Sequence, residues 1–379
     1  MSLDPVLLAR DLIRKPSVTP IDAGAMDVLQ AALEQLGFAC RRLKFGEVEN
    51  LYARRGTASP NLCFAGHTDV VPPGDADAWR KDPFEAEVED GVLVGRGAVD
   101  MKGSIAAWVA AVDRLGEIPG SLSFLITGDE EGVALDGTKR VVALLQDEGE
   151  VIDHCLVGEP SSVQTLGDVV KVGRRGSLNV WITVTGRQGH VAYPERGANP
   201  IPALLKLLER LDARVLDDGY PSFPPSNLEI TTVDVGNPAT NVIPAVARGR
   251  FNIRFNPSWT GARLMEWIEA EAKAVEAEHP GRTIALEFLH SGDAFLTEPG
   301  PFIEVISDAI EAELGVRPEP NTKGGTSDAR FIRNLCPVVE FGLVGQTMHQ
   351  VDERVPVEEI ERLTTVYQRI IRDYFARFA

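Results

Sequence analysis

The stretch SLSFLITGDEE, residues 121–131, runs seven mostly apolar residues straight into Gly128-Asp129-Glu130-Glu131. A run of that kind suits a strand buried on both faces, because neither side of it needs to meet water. Two relatives of this pattern flank it. Residues 61–66 (NLCFAG) end at His67, and residues 153–158 (DHCLVG) run into Glu159-Pro160. Helical spacing appears before and between them. Residues 22–36 (DAGAMDVLQAALEQL) place apolar side chains on one face, with Gly37 as a stop signal. Residues 103–115 (GSIAAWVAAVDRL) are small and apolar, as a buried helix requires. Strands alternating with helices predict an α/β fold with a mixed, mostly parallel sheet covered on both faces.

From about residue 176 the texture changes. Leu178, Val180, Ile182 and Val184 alternate with Asn179, Trp181 and Thr183, the period of a strand with one buried face. A helix is expected at 200–213, with Pro200 and Pro202 fitting its first turn. Strands at 227–235 and 247–255, a helix at 261–278 and a strand at 283–289 follow. The order β-α-β-β-α-β is that of a ferredoxin-like α+β domain. Helix–strand alternation returns with a helix at 301–314, a strand at 337–341 and a helix at 357–378. The expected organisation is a catalytic domain over 1–175 and 291–379, interrupted by an inserted domain at 176–290.

The chain has 379 residues, long enough for two domains at roughly 150 residues each. Lys and Arg number 38 against 56 Asp and Glu, for a formal charge of −18. Such a surface repels phosphate backbones and anionic lipid, so neither a nucleic acid nor a membrane is an expected partner. The segment MSLDPVLLARDLIRKPS lacks a secretory apolar region, and no run approaches the roughly 20 apolar residues of a membrane span. Cys40, Cys63, Cys155 and Cys336 are widely spaced and suggest no disulfide framework. A cytoplasmic location is the expectation.

The chemistry-bearing residues gather at predicted strand ends. His67, Asp69, Asp100, Glu130, Glu131 and Glu159 each stand where a strand ends or in the Gly-rich loop beyond, which is where open α/β sheets bind ligands. His349 lies in a loop after a later strand. A helix cap accounts for Asp100 equally well. It accounts poorly for Glu130-Glu131, adjacent carboxylates that repel unless a cation lies nearby. Two imidazoles with several carboxylates form a donor set suited to Zn²⁺. Three ligating carboxylates and a hydroxide would balance two such ions, leaving one glutamate free to move protons.

Taken in order, GHTDVVP (66–72), GRGAVDMKG (95–103), GDEEG (128–132) and GEP (158–160) resemble the di-zinc aminoacylase and carboxypeptidase family. The resemblance runs almost end to end. It implies that Asp100 bridges two zinc ions, that His67 and Glu159 complete one shell, and that Glu131 and His349 complete the other. It implies Glu130 as general base and Asp69 as the carboxylate polarising His67, a role also favoured by their two-residue spacing. Two Zn²⁺ per subunit are implied, with Co²⁺ as a possible substitute. The segments VGRRGSL (172–178), NVIPA (241–245), GGTSDARFI (324–332) and MHQVDE (348–353) resemble the desuccinylase branch of that family. They imply release of succinate from N-succinyl-L,L-2,6-diaminopimelate, a reaction of lysine and diaminopimelate biosynthesis. Acetylornithine deacetylation, or another exopeptidase reaction on this fold, is the alternative. A non-catalytic metal- or peptide-binding protein is a third reading, opposed by the intact set of groups.

For the anionic substrate, Arg174, Arg175 and Arg254 are available, each equally readable as a surface arginine; the resemblance favours Arg174 and Arg254. Tyr193, Asn241, Gly325 and Thr326 are implied as neutral contacts. Gly345-Gln346 departs from a pattern with Asn shortly before the last histidine, so one contact there is absent or made by backbone. His190, in GRQGHVAYP (186–194), is either a turn histidine or a residue that reaches the zinc site of a partner subunit. The resemblance implies the second, in a homodimer built through the inserted domain.

Overall fold

The computed structural model describes residues 2–379 and divides into two compact units. The first comprises residues up to Gly173, Thr297–Asn321 and Ser327–Ala379. The second comprises Arg174–Leu296 and Thr322–Thr326.

The first unit is built on an eight-stranded sheet. Its spatial order is Ala39–Phe45, Val48–Arg55, Ser121–Thr127, Asn61–His67, His154–Val157, Val338–Glu340, Val169–Lys171, Glu319–Asn321. The four strands from Ser121–Thr127 to Val338–Glu340 are mutually parallel, and Ser121–Thr127 and Asn61–His67 are buried along their whole length. The antiparallel pair Ala39–Phe45 and Val48–Arg55 closes one edge. The expected helix at 103–115 spans Lys102–Asp113 and is buried from Lys102 to Val112. Small residues let it sit deep. A Cβ on Gly103 would lie 2.4 Å from the Ala98 carbonyl oxygen, so only glycine fits there. Trp108 of this helix stacks on Phe64 with ring centres 4.8 Å apart. Tyr367, on the last helix Val357–Phe378, packs edge-on against Trp108 and donates to the Phe341 carbonyl at 2.7 Å.

The second unit contains a four-stranded antiparallel sheet in the order Asn227–Asp234, Val246–Phe255, Gly176–Thr185, Thr283–Gly292. Helices Ile201–Asp212 and Gly261–Glu278 complete the β-α-β-β-α-β succession. Leu178, Val180, Ile182 and Val184 are buried in one core with Leu204, Leu207 and Leu208 of the first helix and Leu264 and Ile268 of the second. The alternate residues Asn179, Trp181 and Thr183 keep exposure. Thr322 Oγ1 donates to the Ser222 carbonyl at 2.6 Å, tying the short returning segment to this unit.

Candidate metal centre

Three parallel strands of the first unit deliver acidic or imidazole groups at their C-terminal ends. Asn61–His67 ends on His67, Ser121–Thr127 leads to Glu130 and Glu131, and His154–Val157 leads to Glu159. Val338–Glu340, parallel to the last of these, precedes the loop carrying His349. Asp100 lies two residues before the buried helix, whose N-cap position is Met101, so Asp100 is not spent as a helix cap.

The two carboxylate oxygens of Asp100 face different histidines. Oδ1 is 3.2 Å from His67 Nε2, and Oδ2 is 3.2 Å from His349 Nε2. His67 Nε2 is 3.7 Å from Glu159 Oε1, and His349 Nε2 is 2.9 Å from Glu131 Oε1. Two donors on one tetrahedral zinc, each at about 2.0–2.2 Å, stand about 3.3 Å apart. The observed separations bracket that figure, and the N/O donor set suits a divalent cation of this kind. Glu130 is close as well: one ligand atom each of His67, Glu130 and Glu159 lies within 4.8 Å of the others.

The field at these groups favours positive charge. Burial works against protonation of His67, but hydrogen bonding to Asp100 and the charges of Glu159, Asp100 and Asp69 outweigh it and hold its pKa well above the ordinary value. Hydrogen bonds to Asp100 and Glu131 push His349 up to about 10. Burial alone would raise the Asp100 pKa, yet its two histidine partners bring it well below the usual range. Glu130 is raised well above its ordinary value by burial, then by the charges of Glu159 and Asp328. Asp328 is itself buried, with Arg330 3.9 Å from its carboxylate.

Asp69 departs from expectation. The atom that meets His67 Nδ1 is the Asp69 carbonyl oxygen, at 2.8 Å; the nearest carboxylate oxygen is 3.7 Å away. Its carboxylate instead accepts the backbone N–H groups of Glu130 and Glu131 at 3.3 and 3.0 Å. The strand ends at His67, so the alternation behind the expectation stops there. Two loop N–H groups beyond the neighbouring strand need an acceptor, and a charged one suits them. The carbonyl still fixes the imidazole tautomer, leaving Nε2 to face Asp100.

A pair with no assigned role in the sequence reading joins two parts of the centre. Arg96 Nη1 and Glu353 Oε2 are 2.7 Å apart, with both side chains almost wholly buried. Glu353 Oε1 accepts the backbone N–H groups of Val99 and Asp100 at 2.9 and 3.1 Å. Arg96 donates to the carbonyls of Gln350 and His349 at 3.2 and 3.4 Å, and Trp79 lies against its guanidinium. His349 has φ 61, a left-handed conformation that costs a non-glycine residue about 1–3 kcal/mol and needs surrounding contacts to hold it. Both residues stood inside quoted motifs, but nothing in one sequence reveals that positions 96 and 353 meet.

In the second unit, Gly189–His190 pairs with Val242–Ile243 as a short ladder. A Cβ on Gly189 would lie 3.0 Å from Gly197 Cα, the close backbone approach expected of that glycine. The Ala192 N–H donates to His190 Nδ1 at 3.0 Å, so the neutral ring carries its proton on Nε2. Tyr193 lies 5.7 Å from His190 ring to ring, and the Asn241 carbonyl accepts the Val191 N–H at 3.1 Å. His190, Tyr193 and Asn241 therefore share one loop cluster. Arg174 is buried and donates to the Gly325 carbonyl at 3.1 Å, next to Thr326. Arg175 donates to Asn227 Oδ1 at 2.8 Å, and Arg254 Nε donates to Asn252 Oδ1 at 3.0 Å. Back in the first unit, Gln346 donates to the Val163 carbonyl at 3.0 Å, which ties its side-chain amide to the loop after Glu159.

Residues 63–373 match the model of the peptidase family M20/M25/M40. The chain belongs to this family. Over 380 aligned residues it is 68% identical to a succinyl-diaminopimelate desuccinylase of Caulobacter vibrioides (strain NA1000 / CB15N), covering 100% of this chain and 98% of the relative. In fold it is similar to an M20 metallo-carboxypeptidase of Sulfolobus solfataricus, with a TM-score of 0.81, 15% identity and coverage of 98% and 99%. It is also similar to a Bacillus subtilis protein described as a dinuclear metal-binding peptidase of the M20 family, with a TM-score of 0.71, 16% identity and coverage of 97% and 96%. The M20 chain is thus a metal-dependent hydrolase, and its His, Asp and Glu cluster has the composition that such chemistry needs. No helix among the described residues is long and apolar enough to cross a membrane.

Proposed function

We propose that this chain removes succinate from N-succinyl-L,L-2,6-diaminopimelate by hydrolysing its amide, giving L,L-diaminopimelate for lysine biosynthesis in the cytoplasm. The observation that carries the reading is the division of Asp100 between His67 and His349, with Glu130 close beside His67 and Glu159. Full-length identity of 68% to a protein of that name supports the substrate.

His67, Asp100 and Glu159 would hold one Zn²⁺, and Asp100, Glu131 and His349 the other, with Co²⁺ an acceptable substitute. Bound there, the metal pair supplies Lewis acidity toward the amide carbonyl and toward water. Glu130 accepts the proton of the attacking water and returns a proton to the nitrogen as the carbon–nitrogen bond breaks. In the metal-free protein, burial and the charges of Glu159 and Asp328 raise its pKa, which favours the half of that task in which the carboxyl holds the proton. Asp69 fixes the backbone of the Glu130-Glu131 pair and, through its carbonyl, the ring of His67. Arg174 and Arg254 pair with substrate carboxylates, while Tyr193, Asn241, Gly325 and Thr326 supply neutral contacts. The chain acts as a homodimer through the ferredoxin-like unit, and His190 of one copy donates from Nε2 to the developing oxyanion at the site of the other.

The decisive experiment measures succinate release from N-succinyl-L,L-diaminopimelate, with and without added Zn²⁺, beside N-acetylornithine. Zinc-dependent release, with N-acetylornithine at least 100-fold poorer in kcat/KM, is the expected result. Comparable kcat/KM on the two substrates overturns the desuccinylase reading and leaves the deacylase chemistry standing.

A further inference from the structure

Arg96 and Glu353 touch none of the groups that would meet substrate or metal with their side chains, yet they connect the two loops on which the centre depends. One carboxylate oxygen of Glu353 takes the N–H of Asp100, and the other takes Arg96. Arg96 donates to the carbonyl of His349, which sits in a left-handed conformation. The route from the Asp100 backbone to the His349 backbone therefore crosses a single buried ion pair. Gly95 N–H adds a bond to the Glu353 carbonyl at 2.9 Å, and the Trp79 ring closes the guanidinium off from water.

Bulk stability does not explain this pair. A buried ion pair is often replaceable by apolar side chains at little or no cost in folding free energy. What such residues cannot reproduce is the set of directed bonds to Val99, Asp100, His349 and Gln350. The histidine side also has the greater need. His67 ends a buried strand, whereas His349 lies in a loop and keeps 46% of its side-chain exposure.

We infer that Arg96 and Glu353 are positioning residues that set the spacing between Asp100 and His349, and thereby hold the metal shell of Glu131 and His349 specifically. The inference rests on the two-shell reading above. It predicts an unequal effect: loss of the pair weakens the ion that depends on His349 and largely spares the other, held by His67, Glu159 and the shared Asp100 carboxylate.

Titration of metal-free protein with Zn²⁺ against a competing chelator tests this. The variants are Glu353→Gln and the double variant Arg96→Met with Glu353→Gln, which leaves no unpaired buried charge and so keeps the test alive if the single variant fails to fold. Wild-type protein should take up two ions. The double variant should melt near the wild-type temperature, bind one ion with unchanged affinity and bind the second 10- to 100-fold more weakly, the range typical for loss of a group that orients a ligand. Arg96→Lys, which keeps the charge but not the forked donor, should fall between. Two ions bound with wild-type affinities by the double variant would overturn the inference, as would an equal loss of both. Should wild-type protein take up one ion only, the two-ion reading falls by itself. The inference is then decided on that ion, and an affinity unchanged in the double variant overturns it.

Discussion

The Asp69 carboxylate grips the backbone of Glu131 at 3.0 Å and leaves the His67 ring to its own main-chain carbonyl. Changing the carboxylate should therefore disturb the glutamate pair before it disturbs the histidine. Asp69→Ala leaves two part-buried N–H groups without their acceptor, at up to about 1–3 kcal/mol each. It should lower kcat by roughly 10- to 100-fold, the cost of losing an orienting contact, while the ion at His67 and Glu159 stays bound. Metal analysis beside kcat checks this. Loss of the His67 ion first would restore the carboxylate–imidazole role.

Glu130→Gln keeps the shape of the side chain and removes its basicity. Both ions should remain, and turnover should fall by roughly 10²–10⁴, the usual worth of a positioned acid–base group. Departure of an ion together with activity would make Glu130 a ligand.

Metal uptake should release protons. In the metal-free protein His349 is pushed up to about 10, and His67 is also held well above its ordinary value. His349 is then protonated at pH 8 and must lose that proton to bind a metal, and His67 is shifted in the same direction. At least one proton per chain should appear on full loading, and affinity should rise with pH until His349 has titrated. Calorimetry in two buffers of different ionisation enthalpy gives the number directly. Uptake with no proton release at pH 8 would show that neither ring was charged.

The Ala192 N–H leaves His190 with its proton on Nε2, ready to donate. If that donor serves a partner's site, His190→Ala and Glu130→Ala chains, each nearly inactive, should restore one another on subunit exchange. Random mixing in a two-fold dimer should return roughly a quarter of wild-type activity. Proven heterodimers without recovery would confine His190 to its own chain.

Much of this was legible because burial writes itself into sequence. The stretch at 121–127 and the helices at 261–278, 301–314 and 357–378 appear with the expected bounds, since each buries a continuous run or stripe. Elements that bury little were silent. Ala39–Phe45 closes a sheet edge without a fully buried residue, and the small sheet of Glu87–Glu89, Val92–Val94 and Arg354–Pro356 has strands too short for a period to show. At the site, residue types and strand ends identified the acidic and imidazole groups. The Asp69 carbonyl contact to the His67 ring was not foreseen, because periodicity was carried past the end of its strand. Arg96 and Glu353 escaped notice because their meeting depends wholly on the fold.

The proposed ligands are unevenly distributed along the chain: His67, Asp100, Glu131 and Glu159 come early, and His349 follows the entire ferredoxin-like unit. At about 5–20 residues per second, a growing polypeptide carries the first four for many seconds before the fifth exists. Glu353, which accepts the Asp100 N–H, and Tyr367, which packs on the buried helix, emerge later still. A nascent chain can therefore offer one shell while the other lacks its histidine. Hydrolytic competence thus waits until the whole ferredoxin-like unit has been made.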